Sequence, residues 1–306
     1  MKILLATDGS EYSEGAAKFL TRLDLSSEDE IIIFHAICGI PCLYGQESYY
    51  NALNAIKKEI APRILNSVSG ILKPVSAKIS TLILDGPPEN SIIDVSVDSD
   101  ADLIVMGVRG ISGAETPFIG SVAKSVALNS SRPVLVTKLP VCEGDDKIKI
   151  LFATDGSEHS AATAKILTVI PFSGNTEITV LNIMSWESLD IPKKFVPEIN
   201  ERFNEIIRET RSKRLVESKM IMNQSKEFLD KKFTNIRVLS EVGAPSAEIM
   251  KASEKLKVDI TAVGCRGLRG IKGMLGSVSR NILTHSKCSV LIGKTCTESP
   301  FHPRSE

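Results

Sequence analysis

The chain has 306 residues, of which 42% are hydrophobic and 24% charged, with 37 basic and 37 acidic side chains. This length predicts about two domains, and this composition excludes a disordered chain. The neutral charge balance and 5% aromatic content argue against nucleic-acid binding, which needs a basic surface. No apolar run reaches the roughly 20 residues that cross a bilayer, and the first residues turn polar too soon for a signal peptide. We therefore expect a cytoplasmic protein without membrane contact.

The sequence contains an internal repeat. The segment KILLATDGSE at 2–11 returns as KILFATDGSE at 149–158, with one change in ten positions. Further on, DLIVMGVRG at 102–110 is matched by DITAVGCRG at 259–267, so the second copy carries ten extra residues between these anchors. The repeat predicts two copies of one domain, at residues 1–140 and 146–306, with a polar Pro- and Gly-containing linker over 139–146.

Within each copy, short β-branched runs alternate with helical patterns, which indicates a parallel α/β fold. Continuous apolar runs such as 31–34 and 103–106 predict strands that are buried on both faces. The predicted strands cover residues 2–7, 30–37, 77–84, 102–106 and 133–138 in the first copy, and 149–153, 177–183, 236–242, 259–263 and 289–293 in the second.

Apolar residues that recur every three or four positions predict helices around Ala16, Leu20 and Leu23 and again over 122–127. The polar segment from 197 to about 232 predicts one extended surface helix or two. Its many charges are typical of a solvated helix face.

A doubly wound sheet binds ligands beyond the carboxyl ends of its strands, where the strand order reverses. Two segments of each copy meet there: the Thr-Asp-Gly-Ser turn after strand 1, and the glycine-rich loop after strand 4 that leads into a helix. Glycines allow close backbone approach, and a helix N-terminus favours phosphate. The same residues also suit a tight turn without a ligand. For Asp8 and Asp155 we favour a binding and structural role over a catalytic one, because Asp commonly closes turns and helix starts.

The spacing Gly107-x2-Gly110-x9-Gly120-Ser121 resembles the nucleotide loop of the ATP-binding branch of the universal stress protein family. The Ala-Thr-Asp-Gly-Ser opening at 6–10 resembles that family's first motif, and the resemblance covers nearly the whole chain, twice. It implies a five-stranded parallel sheet of order 3-2-1-4-5 in each copy. It also implies that the two copies pair through their last strands as an intramolecular pseudo-dimer, which could associate further as a homodimer.

The resemblance further implies that each copy holds an adenine nucleotide, ATP, ADP or AMP, with Mg²⁺ as a companion ion. In the first copy the residues implied near the adenine are Ala6, Thr7, Ala36 and Met106. Those implied near the ribose and the phosphates, or a metal bound to them, are Asp8, Gly107 and Gly110. Those implied at the phosphates are Gly120, Ser121 and Val122. In the second copy the matching residues are Ala153, Thr154, Asp155, Ile183, Val263, Gly264, Gly267, Gly276, Ser277 and Val278.

The two copies depart from the family pattern in different ways. The first keeps the nine-residue spacing, but its loop carries Glu115 and no basic residue, which disfavours a triphosphate. The second is one residue shorter between Gly267 and Gly276. It carries Arg266, Arg269 and Lys272, which favour phosphate.

The sequence thus favours an adenine-nucleotide-binding stress-response or regulatory protein, with unidentified protein partners. Hydrolysis should be slow at most, because no Gly-x4-Gly-Lys-Ser/Thr loop is present. The alternative is a ligand-free dimerisation or interaction scaffold of the same fold. An adenylating enzyme or a dinucleotide-binding protein would show other glycine- or histidine-containing signatures, which the sequence lacks.

The cysteines and histidines give no separate site. The six cysteines are scattered, which suits a reducing compartment, and Cys38 and Cys42 near His35 favour ordinary thiols over zinc ligands. His159 follows the second Asp closely, but Tyr12 stands at the matching position of the first copy. No mechanism shared by the two copies can therefore use this histidine.

Overall fold

A computed structural model describes residues 1–39, 47–111, 119–138, 147–185, 201–267 and 275–295. The first half contains β1 (Lys2–Ala6), α1 (Glu11–Leu20), β2 (Glu30–Ile37), α2 (Glu47–Ile71), β3 (Lys78–Asp85), α3 (Pro88–Asp98), β4 (Leu103–Gly107), α4 (Ser121–Asn129) and β5 (Val134–Thr137). The second half contains β6 (Lys149–Ala153), α5 (Glu158–Val169), β7 (Glu177–Met184), α6 (Glu201–Leu229), β8 (Asn235–Val242), α7 (Pro245–Leu256), β9 (Ile260–Gly264), α8 (Ser277–His285) and β10 (Ser289–Gly293).

The described strands form one ten-stranded sheet in the order β3-β2-β1-β4-β5-β10-β9-β6-β7-β8. Each half is parallel within itself and has the predicted order 3-2-1-4-5. The halves meet where β5 and β10 pair antiparallel, with Leu135 opposite Leu291. The fold class and the pairing of the last strands are therefore confirmed.

The central strands are buried on both faces, as their apolar runs predict. Along β1, Ile3 and Leu5 belong to the core on one face, whereas Leu4 and Ala6 belong to the core on the other. Side chains alternate between the two faces of a strand, so a strand covered by helices on both sides needs apolar residues at every position. The outer strands β3 and β8 are more exposed, because each has a neighbouring strand on one side alone.

Some element boundaries differ from the sequence prediction. Strand ends shift by one residue at most, and α1 ends at Leu20, so the buried Leu23 lies beyond the helix. The polar segment 197–232 contributes a single helix, α6. None of the described helices has the length and apolar character needed to cross a bilayer. The predicted linker over 139–146 falls outside the described residues, as do Cys42, Glu115, Arg269 and Lys272.

Candidate functional site

The turn after the first strand has the same hydrogen bonds in both halves. Thr7 Oγ1 donates to Ser13 Oγ (2.9 Å) and accepts from the Gly9 N–H (3.2 Å). Ser10 caps α1 by accepting from the Ser13 N–H. In the second half, Thr154, Ser157 and Ser160 make the equivalent bonds around Gly156. Both glycines have positive φ, +80° at Gly9 and +78° at Gly156, which glycine adopts readily.

Asp8 connects this turn to the loop after β4. Its Oδ1 accepts from the Ser10 N–H (3.0 Å), and its Oδ2 accepts from the Ile111 N–H (2.9 Å). Asp155 makes the first of these bonds with Ser157, also at 3.0 Å. The Asp therefore closes the turn, while the neighbouring Ser is the helix cap.

The first two glycines of each loop pack closely against the protein itself. A Cβ on Gly107 would lie 2.6 Å from the Tyr12 carbonyl carbon, and one on Gly110 would lie 2.3 Å from Asp8 Oδ2. In the second half, a Cβ on Gly264 would lie 2.9 Å from the backbone of His159, and one on Gly267 would lie 2.6 Å from Asp155 Oδ2. Real Cβ atoms do not approach other atoms this closely.

The third glycine of each loop has more room. A Cβ on Gly276 would meet its nearest atom at 3.4 Å and one on Gly120 at 3.3 Å. These two glycines are the N-caps of α8 and α4, and neither helix has a side-chain cap. The first N–H groups of an α-helix have no partner within the helix, so an uncapped N-terminus can accept an anion.

The second half contains a cavity of about 550 Å³ at the carboxyl ends of β6, β7 and β9. All ten second-half residues implied by the resemblance line it: Ala153, Thr154, Asp155, Ile183, Val263, Gly264, Gly267, Gly276, Ser277 and Val278. The ten residues that the sequence motifs single out in this half therefore line a single cavity. Their part in ligand binding stays a prediction.

The first-half residues occupy the matching places in the fold. Ala6 and Met106 are buried and paired across β1 and β4, and Ala36 lies on β2. Thr7 and Asp8 form the turn after β1, and Gly107 and Gly110 pack against α1 and Asp8. At the start of α4, the Gly120 N–H donates to Val108 O (2.8 Å), and Ser121 and Val122 follow in the first turn.

Sequence reasoning missed the wall that α6 gives to the cavity. Arg214, Glu217, Ser218 and Ile221 of this helix line it, beside Ser185 after β7. Helical periodicity predicts that α6 exists, but no pattern in the sequence indicates which strand ends this helix covers. Arg266, which was noted for its charge, also lines the cavity and is 7% exposed.

The second strand of each half is tied to the turn by a different side chain. In the first half, His35 Nδ1 donates to Thr7 O (2.8 Å), because a carbonyl can only accept. In the second half, Asn182 Nδ2 donates to Thr154 O (2.8 Å). His35 is thus bonded within the turn. The described residues contain no group of three or more His, Cys, Asp or Glu side chains able to hold a metal.

The charge around the start of α5 differs from that around α1. In the first half, Arg109 lies over the Tyr12 ring and donates to its hydroxyl (3.2 Å). In the second half, His159 Nδ1 lies 3.4 Å from Cys265 Sγ. Burial, and then the positive charge of Arg266, lower the pKa of His159 below its ordinary value of 6.5. The imidazole is therefore neutral near pH 7.

Comparison with known proteins agrees with this architecture. The chain is similar to universal stress protein MJ0531 of Methanocaldococcus jannaschii, with 33% identity over 144 residues, which is 45% of this chain and 82% of that protein. A universal stress protein of Mycolicibacterium smegmatis is 22% identical over 303 residues, 95% of this chain and 96% of that protein.

A crystal structure of a universal stress protein from Archaeoglobus fulgidus has the same fold, with a TM-score of 0.59 and 21% identity over 96% of each chain. The model of the universal stress protein family matches twice, over residues 1–138 and 148–294. Both halves are thus accounted for, and the chain belongs to the universal stress protein family, with two of the family's domains in tandem.

Proposed function

We propose that the chain binds an adenine nucleotide (ATP, ADP or AMP) and acts as a regulatory protein in a stress response. The cavity of the second half carries this proposal, because all ten residues implied by the family resemblance line it. Its volume of about 550 Å³ is within the usual range for small-molecule sites.

The ends of the cavity suit the two ends of a nucleotide. At one end, the uncapped N-terminus of α8, the Ser277 hydroxyl and the Arg266 guanidinium offer hydrogen-bond donors and positive charge to phosphates. At the other end, Ala153 and Ile183 offer apolar surface to a base. Mg²⁺ enters the proposal as a companion of the phosphates, with Asp155 as the nearby carboxylate of the β6 turn.

The chemistry of the lining favours binding over rapid hydrolysis. Fast P-loop NTPases use a dedicated Lys and hydroxyl on the phosphates, and the sequence has no such loop. Asp155 Oδ1 already accepts from the Ser157 N–H, so this carboxylate has a structural task in the turn. We therefore expect hydrolysis to be slow at most. The matching turn, glycines and uncapped helix of the first half support a second nucleotide site there.

Two measurements on the freshly purified chain test the proposal. Mass spectrometry after denaturation would identify any co-purified nucleotide, and calorimetric titration would measure the affinity for ATP, ADP and AMP with and without Mg²⁺. Gly276→Val fills the phosphate end of the second site, and Gly174→Val is the matched control because a Cβ there meets nothing within 4 Å. The corresponding first-half variant is Gly120→Val.

We expect a bound adenine nucleotide, and a loss of binding with Gly276→Val that Gly174→Val does not reproduce. A chain that releases no nucleotide and binds none of the three in titration would overturn the proposal. The ligand-free interaction scaffold would then take its place.

A further inference from the structure

The two long helices α2 and α6 occupy matching places over the turn that follows the first strand of each half. Lys57 Nζ donates to Cys38 O (2.7 Å), and the Arg214 guanidinium donates to Ser185 O. Seven residues further on, the side chains of Ile64 and Ile221 pack over Gly9 and Gly156. These two contacts fix the register between the helices.

In this register Glu217 of α6 corresponds to Ile60 of α2, because each lies three residues after its Lys57 or Arg214 anchor. Glu217 lines the cavity. Within the described part of the chain, its carboxylate makes no hydrogen bond or ion pair. Both positions are exposed on their helices, but Ile60 is apolar and has no hydrogen-bonding group in its side chain.

Glu217 lies at the end of the cavity away from α8. The strand order places β6 between β9, which precedes α8, and β7, which precedes α6. A nucleotide whose phosphates contact the N-terminus of α8 would cross the end of β6 and bring its base to β7 and α6. The carboxylate would then face the edge of the base.

We propose that Glu217 is a specificity-determining residue of the second-half site and accepts a hydrogen bond from the amino group of the base. This inference rests on the proposed function. A carboxylate can only accept, so it pairs with the 6-amino group of adenine and repels the 6-oxygen of hypoxanthine. Ile60 offers no acceptor, so the first-half site lacks this discrimination. The two halves therefore differ in base preference.

The test compares ADP with IDP by calorimetric titration of the whole chain carrying Gly120→Val, so that the second-half site is measured alone. We expect ADP to bind about tenfold more tightly than IDP, the effect of one good hydrogen bond. Glu217→Ile, which installs the first-half residue, should bring the ratio to about one. Glu217→Gln should shift the ratio toward IDP, because its amide NH₂ can donate to the 6-oxygen.

Glu209→Ile is the control, because Glu209 is an exposed residue of the same helix outside the cavity lining. It should leave the ratio unchanged. An unchanged ratio in both Glu217 variants would overturn the inference, as would an equal loss of ADP and IDP affinity. An unmodified chain that binds none of ATP, ADP and AMP would overturn the proposed function itself.

Discussion

Lys138 and Lys294 each hold the end of a helix in the opposite half. Lys138, which follows β5, donates from Nζ to Ser286 O at the C-cap of α8. Lys294, which follows β10, donates to Ser130 O at the C-cap of α4 and to Leu128 O (3.3 Å). Cations are favourable at helix C-termini, where carbonyl groups lack partners. These two lysine contacts therefore link the halves in addition to the pairing of β5 with β10.

These lysines predict an unusual dependence of stability on pH. Burial lowers the pKa of both Lys138 and Lys294 from 10.5 to about 8. Between pH 8 and 10.5 the unfolded chain therefore binds more protons than the folded chain, so the contribution of each lysine to stability rises with pH. A neutral amine keeps two N–H groups, so Lys294 can still donate to both carbonyls.

We expect the free energy of unfolding to rise more steeply between pH 8.5 and 9.5 in the wild-type chain than in Lys294→Met. The difference in slope should reach at most about 1.4 kcal/mol per pH unit. Urea denaturation at several pH values measures this difference. The contributions of other groups that titrate in this range are the same in both chains and cancel. Parallel stability curves for the two chains would contradict the prediction.

The glycines of the second-half loop should respond differently to alanine. Gly264→Ala places a Cβ 2.9 Å from the His159 backbone and should lower the free energy of unfolding by about 1–3 kcal/mol. Gly276→Ala places its Cβ at ordinary contact distance, so it should cost less, about 0.5–1 kcal/mol, because alanine is a poorer N-cap than glycine. Chemical denaturation of both variants checks this, and equal losses would refute the packing argument.

Asp8 should control the protection of one loop amide. In Asp8→Ala the Ile111 N–H loses its acceptor, so its hydrogen exchange should become about tenfold faster, the equivalent of one hydrogen bond. Asp98→Ala, at an exposed residue near the end of α3, serves as the control and should leave the Ile111 amide unchanged. Unaltered exchange at Ile111 in Asp8→Ala would show that another group protects this amide.

The imidazole of His159 should titrate below its ordinary pKa of 6.5 in an NMR titration, chiefly because the protein shields it partly from water. The unfolded chain then binds more protons just below pH 6.5, so this residue lowers stability as the solution becomes more acidic. Arg266→Met removes the second cause of the shift and should raise the pKa of His159. A pKa that stays fixed or falls in this variant would contradict the assignment.

The strands were predictable because burial on both faces leaves a continuous apolar run in the sequence. The run 103–106 became β4, which is buried throughout, and the repeat revealed that every such element occurs twice. The second-half residues of the cavity were predictable for a related reason. Short motifs at the ends of β6 and β9 come together whenever parallel strands adopt this order.

The contacts of the long helices, and those across the junction of β5 and β10, were not predictable from the sequence. The charge pattern of α6 predicts a solvated helix but cannot show that Ile221 packs over Gly156. The partners of Lys138 and Lys294 depend on the register of β5 against β10, which no local pattern encodes. The glycines after β4 and β9 suggested ligand approach, whereas the first two of each loop pack closely against the adjoining helix and the Asp side chain.

The antiparallel pairing of β5 with β10 places the two candidate sites on opposite sides of the molecule. Strands within a half share one direction, and this pairing reverses the direction of the other half, so the loops at the carboxyl ends of the two halves lie at opposite ends of the strands. A ligand or protein that binds the loops of one half therefore leaves the loops of the other half accessible.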